Sequence, residues 1–337
     1  MLNNTLEQPM TLLNNTFKNI KQRIGQLVII SMSFGIFGVY ASEATPNWYL
    51  NFDVQGLRNS EIIKQKSPDE RKALKLMDLL MGKSSAKLIE HASAFGFSEH
   101  EKILVLSGKF QSQQSAILQQ WKRLGFESKS SYQGTAVYQS LAYQALVEYK
   151  KLAEQEGLIG DDQEIDISPD DKNQQTIVYA AFNGQNQVIF SDNQNTLEQQ
   201  LSDKATALKS NNDSIFEVIV DVKKALLHGG VNLDEMEQDS VKFESISAKQ
   251  LSQFSVSYSE QGNYSSLQLG LKADTQDVAN SIKAIVQGIV AMKRLSTSDA
   301  QVIDLLNNIR FEQSGGDLLM TVAGSADAFI KLTDDRE

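Results

Sequence analysis

The residues whose types and spacing could do chemistry fall in three places. Ser84-Ser85-Ala86-Lys87 sets a lysine three positions after a serine. On a helix that spacing puts them on adjacent turns, so Lys87 could take the Ser84 proton in acyl transfer. Ser191-Asp192-Asn193 is a run of short polar side chains of the kind that wall a substrate. Asp161, Asp162, Glu164, Asp166, Asp170 and Asp171 form the densest carboxylate cluster, and oxygen ligands at alternate positions suit calcium.

Each has a plainer reading. S-x-x-K and S-D-N are two of three motifs that penicillin-recognising enzymes combine, but the third, K-T-G, is missing from the chain. Ser, Asp and Asn between a strand and a helix are also the expected helix caps. In the acidic loop, an EF-hand register starting at Asp162 puts Ile167 where glycine belongs and Asn173 where a bidentate glutamate belongs, so a solvated loop is the simpler account. Gly82-Lys83-Ser84 ends like a P-loop, yet Met77 stands where the first glycine must be. The three histidines, His91, His100 and His228, are scattered, and there is no G-x-S-x-G elbow and no cysteine. A Ser-His-Asp triad, a thiol nucleophile and a zinc or copper centre are therefore not expected. No catalytic, cofactor-binding or metal residue is assigned, and no cofactor is expected.

The stretch from Ser252 to Arg294 organises the elements around these residues. Phe254, Val256 and Tyr258 alternate with serines, and after Gln261-Gly262-Asn263 the leucines 267, 269 and 271 alternate with Gln268, Gly270 and Lys272. This predicts a β-hairpin with one buried face. Asp274 is the predicted N-cap of a following helix. Val278, Ile282, Ile285, Ile289 and Met292 step by four and three, which predicts a stripe with Ile285 buried against the sheet. A helix from Ser298-Asp299, a hairpin turning at Ser314 to Asp317 and a last helix capped by Ser325 complete a β-β-α-α-β-β-α order.

Upstream, strands are predicted at Trp48 to Val54, Ile103 to Phe110 and Ser214 to Val222. Helices are predicted from Ser67-Pro68-Asp69, over Ser85 to Ala94, after a Ser112 cap, over Leu141 to Glu156 and over Thr196 to Leu208. Phe126 to Gln139 reads as a hairpin. Asn183-Gly184 between Thr176 to Phe182 and Gln187 to Ser191 is the clearest hairpin signal in the chain. Strand, helix, hairpin and helix recur, so the fold class expected is α+β. Two packed units of antiparallel sheet with helices on one face are expected, residues 45–210 and 211–337.

Ser107-Gly108-Lys109-Phe110 followed by a helix, then Tyr132-Gln133-Gly134, then the Thr176 to Ser191 hairpin and its helix, resembles a loose group of uncharacterised exported bacterial α+β proteins. The resemblance spans residues 45–210. It implies the repeated fold and an envelope location, and no activity.

Lys18, Lys21 and Arg23 precede an apolar run, Leu27 to Tyr40, and small residues follow. That order predicts a signal peptide over residues 1–41, with an uncleaved anchor as the alternative. The chain's net charge of −10 becomes −12 when that segment takes three cations and Glu7 with it. So acidic a body is repelled by phosphate backbones, and no basic stripe exists, so no nucleic-acid partner is expected. A membrane partner is expected only if the N-terminal segment is uncleaved. The expected protein is periplasmic or extracellular and acts as a non-catalytic binding or structural module toward an unknown protein or small ligand. A serine acyl hydrolase using Ser84 and Lys87, and a calcium-dependent interaction module using residues 161–171, are the alternatives.

Overall fold

A computed structural model describes residues 46–65, 77–78, 80–98, 101–142, 144–145, 147–148, 151, 176–202, 214–224 and 250–333. The predicted signal peptide, the Ser67 helix start and the acidic loop 161–171 lie outside the described residues. So does most of the Leu141 to Glu156 helix.

Among the described residues the strands are β1 (Trp48–Asp53), β2 (Ile89–Ser98), β3 (Glu101–Gly108), β4 (Glu127–Tyr132), β5 (Thr135–Leu141), β6 (Ile177–Asn183), β7 (Gln187–Ser191), β8 (Phe216–Asp221), β9 (Leu251–Gln261), β10 (Tyr264–Ala273), β11 (Arg310–Ser314) and β12 (Asp317–Ser325). The helices are α1 (Val54–Asn59), α2 (Glu61–Gln65), α3 (Lys83–Ala86), α4 (Gln114–Arg123), α5 (Gln194–Leu201), α6 (Gln276–Ser296), α7 (Ala300–Asn307) and α8 (Ala326–Thr333). All strands join one antiparallel sheet in the order β11-β12-β10-β9-β8-β1-β2-β3-β7-β6-β5-β4. The fold is mixed α and β around this large sheet. The strands of both predicted units lie in that one continuous sheet, joined where β1 pairs with β8.

The local reasons are legible. Gln133 and Gly134 both have positive φ, at 48° and 81°, which closes the β4–β5 hairpin as a primed turn matched to strand twist. Gly108 is required because a Cβ there would lie 2.1 Å from the Leu88 carbonyl oxygen. Asp299 caps α7 by accepting from the Gln301 and Val302 amides, and Ser325 accepts from the Ala328 amide at the start of α8.

The sheet's two faces differ between its halves. On β7, Val188, Ile189 and Phe190 are all buried, although consecutive residues point to opposite faces. An unbroken apolar run signals burial on both sides. Val188 and Phe190 join the core that holds α4, where Trp121 packs against Phe126, Tyr138, Phe182 and Phe190 with ring centroids 5.1–5.9 Å apart. Ile189 joins Ile103, Val105 and Val137 under Leu197 of α5, on the other face. In the other half, α7 and α8 cover the first face, where Leu305, Val322, Ala328 and Phe329 cluster. The opposite face there carries Ser255, Ser257, Gln268 and Lys272, as strict alternation dictates.

Four expectations are corrected. Helices lie on both faces in residues 45–210, not on one, because β7 is apolar on both sides. Ser85 to Ala94 is not a helix: α3 stops at Ala86, and β2 begins at Ile89, pairing with both β1 and β3. Sheet partners on both sides outweigh local helix preference there. Ser112 does not cap α4, which starts at Gln114 after a 3-10 turn over Gln111–Gln113. The N-cap of α6 is Thr275, whose hydroxyl accepts from the Val278 amide; Asp274 instead pairs with Lys223 at 2.8 Å.

Candidate binding surface

Ser84 and Lys87 both lie exposed at the single turn of α3. The end of that turn is held from α1. Arg58 Nη2 donates to the Ala86 carbonyl at 2.7 Å, and Gln55 Nε2 donates to the Lys87 and Ile89 carbonyls at 3.1 Å. These contacts fix backbone and leave both candidate side chains in solvent.

Ser191, Asp192 and Asn193 tie β3 to the start of α5. The Ser191 hydroxyl donates to the Lys102 carbonyl at 2.8 Å and accepts from the Asn193 amide. Asp192 Oδ1 accepts from the Lys102 amide at 2.7 Å. Asn193 Oδ1 accepts from the Asn195 and Thr196 amides, capping α5. Burial pushes the Asp192 carboxyl up to about 6, against the opposing Lys102 amide bond and charge. The triplet is occupied with structure and is not gathered with Ser84. His91 is exposed on β2, and the acidic loop and the other two histidines lie outside the described residues. Among the described residues no group of three or more His, Asp or Glu side chains could hold a metal ion.

An open groove of about 540 Å³ lies on the polar face of β9, β10, β12 and β11. Gln253, Ser255, Lys272, Glu312 and Asp317 line it, and Lys272 stands opposite Asp317 in the β10–β12 register. Its floor is tight at Gly270, where a Cβ would lie 2.3 Å from Ser255 Oγ.

The third surface is α6, and it overturns the expected burial of Ile285. Only Ala279 of this 21-residue helix is buried. Ile282, Val286 and Ile289 form an inner, half-buried line toward the sheet. Ile285 is 40% exposed, Met292 40% and Leu295 89%. With Ser281, Gly288 and Ala291 these residues follow steps of three and four, so they form one uncharged outer stripe. A helix apolar on two sides has more apolar surface than this sheet covers. A Cβ added at Gly288 would meet nothing within 4 Å, so no contact within the chain demands glycine there. The periodicity locates the helix, but Ile285 and Met292 lie about 60–80° around its axis from Ile282, past the edge of the face that the sheet covers. Among the described residues no helix is long and apolar enough to cross a membrane.

No family model matches the chain, and no curated protein matches it. Among solved structures it is similar in fold to TP0453, a bacterial protein. Crystal form III of that protein superposes with a TM-score of 0.46 at 12% identity, covering 88% of this chain and 98% of that one. Form IV gives 0.45 at 11% identity over 86% and 93%, and form I gives 0.42 at 10% over the same shares.

Proposed function

We propose that this chain is an exported, non-catalytic binding module of the bacterial envelope, and that the outer stripe of α6 is its docking surface. The observation that carries the reading is the exposure of Ile285, Met292 and Leu295 in one uncharged line. Contiguous exposed apolar surface on a soluble body is costly to keep, and it marks an interaction site more often than an accident. A partner that covers the stripe in the native envelope supports the reading; a stripe open to water there contradicts it.

The body has two units, residues 45–210 and 211–337. The strand orders support this: β1-β2-β3-β7-β6 outward from the join on one side, β8-β9-β10-β12-β11 on the other. Each unit runs strand, hairpin, helix, hairpin and helix in sequence. The first adds β4 and β5 at its edge, and its last helix, α5, lies on the opposite face from α8.

The rival reading, an acyl hydrolase at Ser84, needs a pocket with an oxyanion donor pair beside the nucleophile. Both side chains stand in solvent on a one-turn helix. Purified protein is expected to stay unlabelled by a fluorophosphonate or a penicillin probe. Stoichiometric labelling lost in Ser84→Ala would establish the enzyme instead.

A further inference from the structure

The two ends of the sheet are finished differently. Beyond β6, the hairpin β5–β4 extends the first half, and β4 carries a register irregularity between Ser128 and Ser130 that interrupts its ladder. A register irregularity of this kind at an edge discourages further pairing. At the other end β11 closes the sheet, and among the described residues no strand lies beyond it. Its pairing with β12 runs without interruption from Arg310 to Ser314.

We propose that β11 pairs antiparallel with β11 of a second copy of this chain, joining two sheets edge to edge about a two-fold axis at Phe311. The charge pattern selects this occupant and this register. Arg310 and Glu312 lie on the same face of the strand, opposite Thr321 and Leu319, and both are exposed. Centring on Phe311 places Arg310 of each copy opposite Glu312 of the other, giving two opposite-charge cross-strand pairs, and sets Phe311 beside its own counterpart. Directly opposed residues are close enough for such pairs to count, and like charges in the same positions are destabilising. Centring on Glu312 instead would set the two carboxylates against each other. A two-fold pairing is self-complementary and closes at the dimer, so it does not lead to fibres. The surface is separate from the α6 stripe, so either can fail without the other.

The test is sedimentation velocity on the purified full chain at low salt, from about 1 to about 100 µM. Wild type should show a concentration-dependent dimer. Glu312→Lys and Arg310→Glu each convert both pairs to like charges, and each should weaken dimerisation at least about tenfold. The swap Arg310→Glu/Glu312→Lys should restore it, because the pairs re-form with signs exchanged. Both positions are exposed, and the restored dimer of the swap separates lost pairing from lost folding. A wild-type monomer throughout the range, single variants that dimerise like wild type, or a swap that fails to restore dimers would overturn the proposal. Mass that grows beyond the dimer and is unchanged in the single variants would overturn it too, since a two-fold contact at β11 closes at two copies.

Discussion

The Ser60 hydroxyl donates to the Glu260 carboxylate at 2.6 Å, across 200 residues of sequence. The same carboxylate accepts from the Glu61 amide at 3.0 Å, so a side chain on β9 caps α2. It also accepts from the Tyr258 phenol, and Ser265 Oγ lies 2.9 Å from that phenol oxygen. Burial first, and then the Glu260 hydrogen bond, hold the Tyr258 phenol well above its ordinary range. Glu260→Ala leaves Ser60, Tyr258 and a helix-end amide without their shared acceptor. It should cost about 1–3 kcal/mol in urea unfolding, the scale for leaving buried polar groups unmade. Glu260→Gln keeps a carbonyl acceptor and should cost less. Equal losses for the two would show that the charge, not the acceptor, matters.

Asp192 should make stability depend on pH. Its folded carboxyl holds a proton up to about 6, whereas an unfolded aspartate releases it near 4. The folded state therefore binds more protons between about pH 4 and 6, and stability falls as pH rises through that window. Asp192→Asn keeps an oxygen for the Lys102 amide and removes the buried charge. It should stabilise the protein at pH 7 by up to about 3 kcal/mol, with the gain shrinking toward zero near pH 4. A gain independent of pH, followed by thermal melts across this range, would refute the assignment.

Helix α6 gives a paired test of burial. Ile285→Ala should cost less than about 1 kcal/mol, because the side chain already meets water. Leu305→Ala, at a position 1% exposed, should cost about 2–5 kcal/mol. Gly288→Ala should raise the stability of the isolated protein by roughly 0.5–1 kcal/mol, since alanine favours a helix and its Cβ meets no neighbour.

Trp121 is the centre of the α4 core, 1% exposed and in ring contact with four aromatic side chains. Trp121→Ala should cost about 3–5 kcal/mol in denaturant unfolding. A cost under about 1 kcal/mol would show that these rings are held together without it.

What the sequence disclosed follows from where the period was clean. The hairpin β9–β10 is legible because Gln261-Gly262-Asn263 separates two runs of fixed alternation, and β6–β7 because Asn183-Gly184 separates two apolar runs; both appear with their turns at Gly184 and Gly262. The helix starts at Asp299 and Ser325 are legible from cap chemistry. β2 was not, because Glu90, His91, Ala92 and Ala94 carry no strand signal of their own; pairing with β1 and β3 makes the strand. The second core under α5 is legible only in Val188-Ile189-Phe190, an unbroken apolar run that a single buried face does not explain. The α6 stripe was hidden by its own richness: a helix apolar on two sides satisfies an inward reading while leaving Leu295 in water.

Covering of that stripe is the central claim, and the chain's lack of cysteine allows it to be read at one residue. Met292→Cys, labelled with an environment-sensitive fluorophore, should be freely quenched by iodide in the purified protein. In the native envelope the emission should shift to the blue and quenching should fall at least about threefold, while a Lys283→Cys control on the helix's polar flank changes little. Equal quenching of Met292→Cys in the two settings would contradict the account.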